Sequence, residues 1–506
     1  MPSHTSTLRD AIYALAILSL AALVRLYGIA NESLWLDEAY SWWDAREPLG
    51  ALWHLAPQCD PHPPLYALLL KAWVELTGDG RVALRGFSTV LGILTTAVVM
   101  LAGRQIDARV GWISGILFAV TPFQIEFAQE ARPYTLLALG AALLLYGLLE
   151  VSRSPVPRLW PGWIALLFGG IITLWSNSTS MLTIAAAAFT LIAIMWKESR
   201  VRALWRPALI VAALIAVSWL PYLPIFIEQA RGVSDDFWIP RPDLWRVFNE
   251  LRFVVGFGYF EALWFLFPLS ILGLTLLCRE GKRAFAWILF AMFVLPVVFN
   301  LSVSLLVKPI YLARTLIVIA PAFALAIAVA IAGIRRASLR HAALAVYVCV
   351  CMWNAAQTLY WKEGRKEQWL EVARTLVHSV KGDTLVLVVP NELALPLSHA
   401  FAEIGATLPI RGAPADFPAP GLLARYPSGK CSPSIVGQDL SALLDEARHK
   451  ETLFFITRTG NVYDPRDEIR PRLEALGLTA ESVQRFRAGS IEVHRYEQRN
   501  LSKPAN

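Results

Sequence analysis

Two adjacent carboxylates stand among aromatic residues near the start of the chain. Asp37 and Glu38 lie in the segment Leu34–Trp42, directly after the first long apolar stretch. A carboxylate beside a membrane surface can act as a general base that takes a proton from a hydroxyl. The neighbouring Trp35 and Tyr40 can form a platform for a sugar or a lipid. The alternative is an acidic helix N-terminus below an interfacial aromatic belt.

A second polar segment, Cys59–Tyr66, follows in the same loop and contains Asp-Pro-His-Pro-Pro. Successive prolines restrict the backbone at a helix start, and His62 with Asp60 can meet a phosphate or a metal. The alternative is a rigid turn that starts a helix, because a single Asp-x-His pair does not make a metal site.

The third segment, Gln129–Tyr134, contains Arg132 at a bend between two apolar stretches. An arginine at membrane depth needs an anionic partner. That partner is either a ligand phosphate or a protein carboxylate such as Glu126 or Glu130, in which case Arg132 only closes a loop through an ion pair.

The fourth segment, Lys308–Arg314, places two cations and a phenol at the entrance to a late apolar stretch. Lys308, Tyr311 and Arg314 can together cradle a lipid phosphate. Snorkelling of the two cations toward lipid headgroups explains the same pattern equally well.

The composition excludes an ordinary soluble enzyme. Of the 506 residues 56% are hydrophobic and 17% are charged, and the mean hydropathy is +0.49. The net charge of +7 comes from short loops between apolar stretches, so no nucleic-acid partner is needed to explain it. The sequence contains no Walker or dinucleotide-binding motif, which indicates that any group donor is already activated.

Membrane helices must position these four segments. Hydropathy predicts about eleven spans, at residues 11–30, 82–102, 110–127, 134–150, 161–176, 180–196, 207–228, 259–278, 284–304, 313–334 and 341–360. With a cytoplasmic N-terminus every even-numbered connection is basic, as the positive-inside rule requires. The four segments then belong mainly to the extracytoplasmic side.

Beyond residue 361 the composition becomes that of a soluble domain. Strands are predicted at 383–390, 452–457 and 490–496, and helices at 367–380, 438–449 and 466–476. The predicted fold class is an α-helical polytopic membrane protein with a small C-terminal α/β extracytoplasmic domain. We expect a membrane domain over 1–361, with its first extracytoplasmic loop at about 31–81, and a soluble domain over 362–506.

The cysteines have no metal-binding spacing. Cys59 and Cys431 can pair if both face an oxidising compartment. We nevertheless expect both to be free, because two isolated cysteines far apart in a sequence are more often unpaired.

Taken in chain order, the four segments resemble the polytopic GT-C glycosyltransferases. The likeness is nearest to the dolichyl-phosphate-mannose protein mannosyltransferase-like enzymes, a branch that includes the bacterial aminoarabinose lipid A transferases. It rests on Leu-Trp-Leu-Asp-Glu-Ala-Tyr after a first span, then Asp-Pro-His-Pro-Pro-Leu-Tyr, then Gln-Glu-Ala-Arg-Pro-Tyr, then a Lys/Tyr/Arg segment. It covers about residues 10–380.

The resemblance implies a membrane enzyme that inverts the anomeric carbon of a polyprenyl-phosphate-linked sugar. Asp37 is the implied base, and Glu38 is its neighbour in the acceptor site. The residues implied in binding the donor and its phosphate are His62, Arg132, Tyr134, Lys308, Tyr311 and Arg314. The last three depart from the Arg-Tyr order of many relatives. Asp60, Trp35 and Tyr40 are expected to support the acceptor or the loop.

The implied partners are membrane lipids, the lipid-linked sugar donor and an acceptor that the sequence does not identify; the implied location is the inner membrane. Some GT-C enzymes use a divalent metal, but too few ligands converge here to assign one, and we assign no cofactor. Two other classes share many of these features: a lipid or solute transporter or flippase, and an O-antigen ligase or polymerase. A transporter typically has internal repeats, which the sequence lacks. A ligase is expected to carry its long arginine-bearing loop late in the chain.

The predicted topology places the first loop and the C-terminal domain on one side of the membrane. Reporter fusions that are active only outside the cytoplasm should therefore be active both after Ala56 and after Pro418. Activity at one position alone would contradict the odd number of spans.

Overall fold

The computed structural model describes residues 4–153, 160–197, 200–232, 239–256, 258–362, 364–420, 431–458, 463–486 and 491–498. Between residues 4 and 360 the described part of the chain is predominantly helical and apolar, as in a polytopic membrane protein. Its α-helices are α1 (His4–Leu26), α2 (Leu36–Arg46), α3 (Ala51–His54), α4 (Ala56–Cys59), α5 (Leu65–Thr77), α6 (Arg81–Ile106), α7 (Ala108–Val120), α8 (Pro122–Ala128), α9 (Tyr134–Arg153), α10 (Trp160–Ser176), α11 (Met181–Lys197), α12 (Val201–Trp219), α13 (Leu223–Gly232), α14 (Leu244–Val255), α15 (Phe260–Arg279), α16 (Arg283–Leu306), α17 (Ala320–Ala332) and α18 (Ala337–Ala355).

Short irregular helices extend three of these elements. Two 3₁₀ segments, Ser178–Ser180 and Ala313–Ile319, lead into α11 and α17, and a π-helical segment, Ala356–Tyr360, continues α18. The segment before α17 carries Arg314, so the irregular backbone lies where the sequence placed a candidate site residue.

Fewer helices than predicted meet a strict criterion for crossing a membrane. Among the described residues seven helices are long and apolar enough, or up to nine if two bent pairs, α7 with α8 and α12 with α13, each form one span. The expected number of about eleven is too high by this criterion. Of the two other expected spans, α1 contains Arg9, Asp10 and Arg25, and α10 has only 17 residues.

The C-terminal part is a mixed sheet covered on both faces. Its helices are α19 (Trp369–Ser379), α20 (Ala394–Glu403), α21 (Ser441–Arg448) and α22 (Ile469–Ala475), and its strands are β1 (Thr384–Val389), β2 (Ile410–Gly412), β3 (Thr452–Arg458), β4 (Leu478–Phe486) and β5 (Ile491–Gln498). A 3₁₀ turn, Asn391–Leu393, precedes α20. The strand order is β2-β1-β3-β5-β4, in which β1 is parallel to β2 and β3, and β5 is antiparallel to β3 and β4.

Burial explains why β1 and β3 were readily predicted. Every residue of β1 is buried, as expected for a central strand with helices on both faces. Helices α19 and α20 pack on one face of the sheet and α21 and α22 on the other. The sequence-based prediction did not include β2, β4 or α20. The start of the strand predicted at 490–496 lies outside the described residues.

A disulfide joins the first loop to the C-terminal domain. Cys59, at the end of α4, is bonded to Cys431, which lies 372 residues further along the chain. The expectation that both cysteines are free is therefore wrong. The two residues lie close together because α2 packs against α20 and Phe417 stacks edge-on against Tyr40 and Trp43, which brings the domain onto the loop.

Replacing this pair should weaken the attachment of the C-terminal domain. A Cys59→Ser/Cys431→Ser protein should lose about 2–5 kcal/mol of stability, the usual effect of removing a disulfide. Thermal unfolding of the purified proteins measures the loss. Cys349→Ser is the control, since Cys349 is exposed and free. An equal unfolding midpoint in the double variant and the control would show that the bond contributes nothing to stability.

Candidate active site

Glu38 is enclosed by donors from three separate parts of the chain. Arg85 Nε and Nη2 lie 2.8 and 2.7 Å from its two carboxylate oxygens, which is a bidentate ion pair. Lys366 Nζ and the backbone N–H of Ala131 add bonds of 3.2 and 3.0 Å. Burial raises the pKa of Glu38, but the Arg85 and Lys366 cations lower it to about 2. Glu38 is therefore an ionised anchor with 0% exposure.

Charge in this buried cluster is balanced. Lys366 Nζ also lies 3.5 Å from Glu130 Oε1, so two carboxylates face two cations. Arg85 uses its remaining N–H groups on backbone carbonyls just before α2, namely those of Ile29, Glu32 and Ser33. The cluster therefore fixes the start of the first loop against α6. Sequence reasoning missed Arg85 and Lys366, because neither lies in a recognisable motif.

Asp37 faces a large cavity instead of the buried cluster. Consecutive residues on a helix point about 100° apart, so Asp37 and Glu38 at the start of α2 cannot share an environment. The Asp37 side chain is 30% exposed, and its Oδ2 accepts a hydrogen bond of 3.2 Å from Arg314 Nη1. The cavity has a volume of about 1300 Å³ and is large enough for a sugar and a phosphate together.

The Asp-Pro-His segment lies on the same cavity. Arg132 Nη1 donates to Asp60 Oδ2 at 2.6 Å and to the backbone carbonyl of Asp37 at 3.0 Å. His62 contacts Asp60 through Nδ1, which also lies 3.0 Å from Arg132 Nη2. Burial raises the pKa of Asp60, yet Arg132 and His62 hold it below its usual value. The carboxylate partner of the Arg132 guanidinium is thus Asp60, whereas Glu130 meets Arg132 only through its backbone carbonyl, which accepts from the Arg132 N–H at 2.8 Å.

Of the remaining predicted site residues, three line the cavity and one is buried away from it. Tyr134 lies at the start of α9, where its ring packs edge-on against His62 and lies 5.8 Å from the Arg314 guanidinium. Lys308 and Arg314 also line the cavity. Tyr311 is 0% exposed and donates to the carbonyl of Val247 at 3.4 Å, so the structure places it in the protein interior.

The C-terminal domain forms another wall of the cavity. The Tyr40 hydroxyl, on α2, donates to Glu392 Oε2 at 2.6 Å, and Glu392, Arg458 and Tyr463 all line the cavity. No motif marks these three residues, because they lie far along the chain from the four segments. Burial raises the pKa of Glu392, although its bonds to Tyr40 and Ser432 oppose the rise.

Glu367 joins this wall to the start of α2. Its Oε1 accepts from Arg458 Nη2 at 2.6 Å, and its Oε2 accepts from the Leu36 backbone N–H at 3.1 Å and from Trp369 Nε1 at 2.7 Å. Trp35, at the N-cap of α2, lies 6.0 Å from Lys366 Nζ. One carboxylate therefore holds the helix that presents Asp37 against the C-terminal domain.

The described residues contain no group of three or more His, Cys, Asp or Glu side chains arranged to hold a metal ion. The polar lining of the cavity combines cations and hydroxyls with several carboxylates, among which Asp37 is partly exposed and bonded to Arg314. Such a lining can bind an anionic ligand and accept one proton.

The fold and a family profile both indicate similarity to membrane glycosyltransferases of the GT-C type. Residues 61–222 match the family profile of dolichyl-phosphate-mannose-protein mannosyltransferases. The fold is similar to the crystal structure of ArnT from Cupriavidus metallidurans bound to undecaprenyl phosphate, with a TM-score of 0.61 and 13% identity over 100% of both chains. The apo ArnT structure gives a TM-score of 0.61 and 14% identity over 97% of this chain and 98% of that one. These findings confirm the predicted resemblance and the GT-C fold. A comparison with curated protein sequences gives no match.

Removing the charge of Glu38 should mainly reduce the stability of the folded protein. Glu38→Gln leaves Arg85 and Lys366 with one carboxylate between them, and breaking a buried pair in this way typically costs about 3–5 kcal/mol. We expect much less folded protein in membranes and a lower unfolding midpoint. Glu47→Gln, at the other end of α2, is the matched control because Glu47 has no ion pair among the described residues. Normal abundance and midpoint in Glu38→Gln would contradict the anchoring role.

Proposed function

We propose that the protein is an inverting glycosyltransferase that moves a sugar from a polyprenyl-phosphate-linked donor to a hydroxyl acceptor outside the cytoplasm. The observation that carries the proposal is the placement of Asp37, a partly exposed carboxylate, beside cations in one cavity at the membrane boundary. The similar ArnT structure holds undecaprenyl phosphate, which supports a donor of this class.

Asp37 is proposed as the general base. An acceptor hydroxyl in the cavity gives its proton to an Asp37 oxygen while the hydroxyl oxygen attacks the anomeric carbon of the donor. The bond between that carbon and the phosphate oxygen breaks, and polyprenyl phosphate leaves with the bonding electrons. Attack opposite the leaving group inverts the anomeric carbon. Arg314 fixes the orientation of Asp37 through the 3.2 Å bond to Oδ2.

The cations of the cavity are proposed to bind the departing phosphate. Arg314 and Lys308 line the cavity and can approach the phosphate oxygens, where charge develops during the reaction. His62 also lines the cavity, and because burial lowers its pKa we assign it a hydrogen bond to the phosphate from a neutral ring. Arg132 has a different role in this scheme because Asp60 already neutralises it. It holds Asp60, His62 and the backbone of Asp37 in one arrangement, and so acts as a positioning residue.

The walls of the cavity suggest how the two substrates are separated. Met181, Leu182, Val303 and Val307 form an apolar side that suits a polyprenyl chain. Glu392, Arg458 and Tyr463 come from the C-terminal domain and form a polar side, which we assign to the acceptor. Extracytoplasmic orientation is supported by the basic even-numbered loops and by the disulfide, since disulfides persist in oxidising compartments.

Asp37→Asn tests the proposed chemistry. The amide keeps the size of the side chain but cannot take the acceptor proton, so transfer should fall by about a hundred- to ten-thousandfold. Transfer from a polyprenyl-phosphate sugar is measured in membranes that contain equal amounts of each variant. Binding of undecaprenyl phosphate should change little, because the proposed phosphate contacts come from other residues.

Glu47→Gln is the control for the same change of carboxylate to amide on α2, and it should transfer at the wild-type rate. Near-normal turnover by a well-folded Asp37→Asn protein would remove Asp37 as the base. Loss of undecaprenyl phosphate binding in that variant would assign Asp37 to donor binding instead.

A further inference from the structure

A second cavity lies at the far end of helices that border the candidate active site. Tyr134 begins α9 in the active-site cavity, and Arg153 ends α9 at a separate cavity of about 500 Å³. A helix of 20 residues is about 30 Å long at 1.5 Å per residue, which matches the hydrocarbon thickness of a bilayer. Helices α11 and α16 likewise have one end at each cavity. The smaller cavity therefore lies at the opposite membrane surface.

Positive charge in the smaller cavity is largely uncompensated. Arg153, Lys197 and Arg283 line it, and within the described part of the chain no carboxylate lies within 4.0 Å of these three side chains. Lys282, also in the lining, is paired with Glu280 at 2.9 Å. Three cations from three different helices thus converge, and none of them has an anionic partner among the residues that the structure describes.

The lining also offers hydrogen-bond donors and an apolar wall. Trp287 is one of the residues that line the cavity. Its indole N–H is buried and has no acceptor among the described residues. The cavity sits at the N-terminus of α16, a helix of 24 residues whose first N–H groups favour an anion. Ile194 and Phe285 provide apolar surface beside these polar groups.

We propose that this cavity binds the headgroup of an anionic phospholipid. A phosphodiester supplies the negative charge and the acceptors that Arg153, Lys197 and Arg283 lack. The apolar wall at the end of membrane helices suits the first part of the acyl chains. Basic pockets between membrane helices are a known setting for anionic headgroups. The site is distinct from the proposed catalytic cavity, and it stands whether or not the proposed transfer reaction is correct.

Lipid titration of the purified full-length protein tests this site. Native mass spectrometry counts the phosphatidylglycerol molecules that remain bound to wild-type protein and to an Arg153→Gln/Lys197→Gln/Arg283→Gln variant. Each cation near a headgroup contributes about 1 kcal/mol, so the triple variant should bind its tightest phosphatidylglycerol about a hundredfold more weakly. Phosphatidylcholine should bind the wild-type cavity much more weakly than phosphatidylglycerol.

Two further variants keep the result interpretable. Arg109→Gln/Arg335→Gln/Arg336→Gln removes the same charge from exposed positions outside the cavity lining and should keep wild-type binding. Ala284→Trp keeps every charge but fills the cavity, and it should lose binding as the triple variant does. This second route covers the case in which the triple variant does not fold.

Three outcomes would overturn the proposal. These are equal phosphatidylglycerol binding by the cavity variant and the surface control, equal binding of phosphatidylcholine and phosphatidylglycerol by wild-type protein, and full competition by inorganic phosphate alone. The last result would identify a site for free phosphate in place of a lipid headgroup.

Discussion

The ion pair between Glu38 and Arg85 is the interaction on which the rest of the site depends. Removing two charges from water is costly, and the cost is recovered only when geometry and additional hydrogen bonds are good. Here the pair is bidentate, Lys366 and a backbone N–H complete the acceptor shell, and Glu130 balances the second cation. The cluster joins the first loop, α6, the segment before α9 and the segment that leads into the C-terminal domain. Asp37 is presented to the cavity because its neighbour is held in this way.

Adjacent carboxylates therefore have opposite tasks. Glu38 is fully buried and saturated with donors, whereas Asp37 is partly exposed and accepts a hydrogen bond from the Arg314 guanidinium. The same division recurs in the Asp60, His62 and Arg132 group, where Asp60 neutralises Arg132 and leaves His62 at the cavity. In both places one residue of a motif is structural and another is available for a ligand. A motif thus indicates which region of the structure contains the site, but residues within one motif have different roles.

Much of the fold could be predicted from the sequence because membrane helices and central strands leave strong local patterns. The four motifs were also enough to bring Asp37, Asp60, His62, Arg132, Tyr134 and Arg314 to one region. Arg85, Lys366, Glu367 and the C-terminal lining residues could not be found in this way. Their importance comes from partners 47 to more than 300 residues away, and no local spacing records such contacts. Tyr311 shows the converse, since its motif position suggested a ligand contact but the turn before α17 directs it into the core. The free-cysteine expectation failed for the same reason, as only the packing of α2 on α20 brings Cys59 to Cys431.

The wall that Glu392, Arg458 and Tyr463 contribute also sets an order of events during biosynthesis. The ribosome makes Asp37 and the other first-loop residues more than 400 residues before it reaches Arg458 and Tyr463. Until the C-terminal domain has docked on the loop, the cavity lacks one side and the Glu367 contact to α2 lacks its Arg458 partner. A truncated or stalled chain therefore carries every motif of the first loop and still has an incomplete pocket. The pocket is therefore complete only after the C-terminal domain has been made and has docked on the first loop.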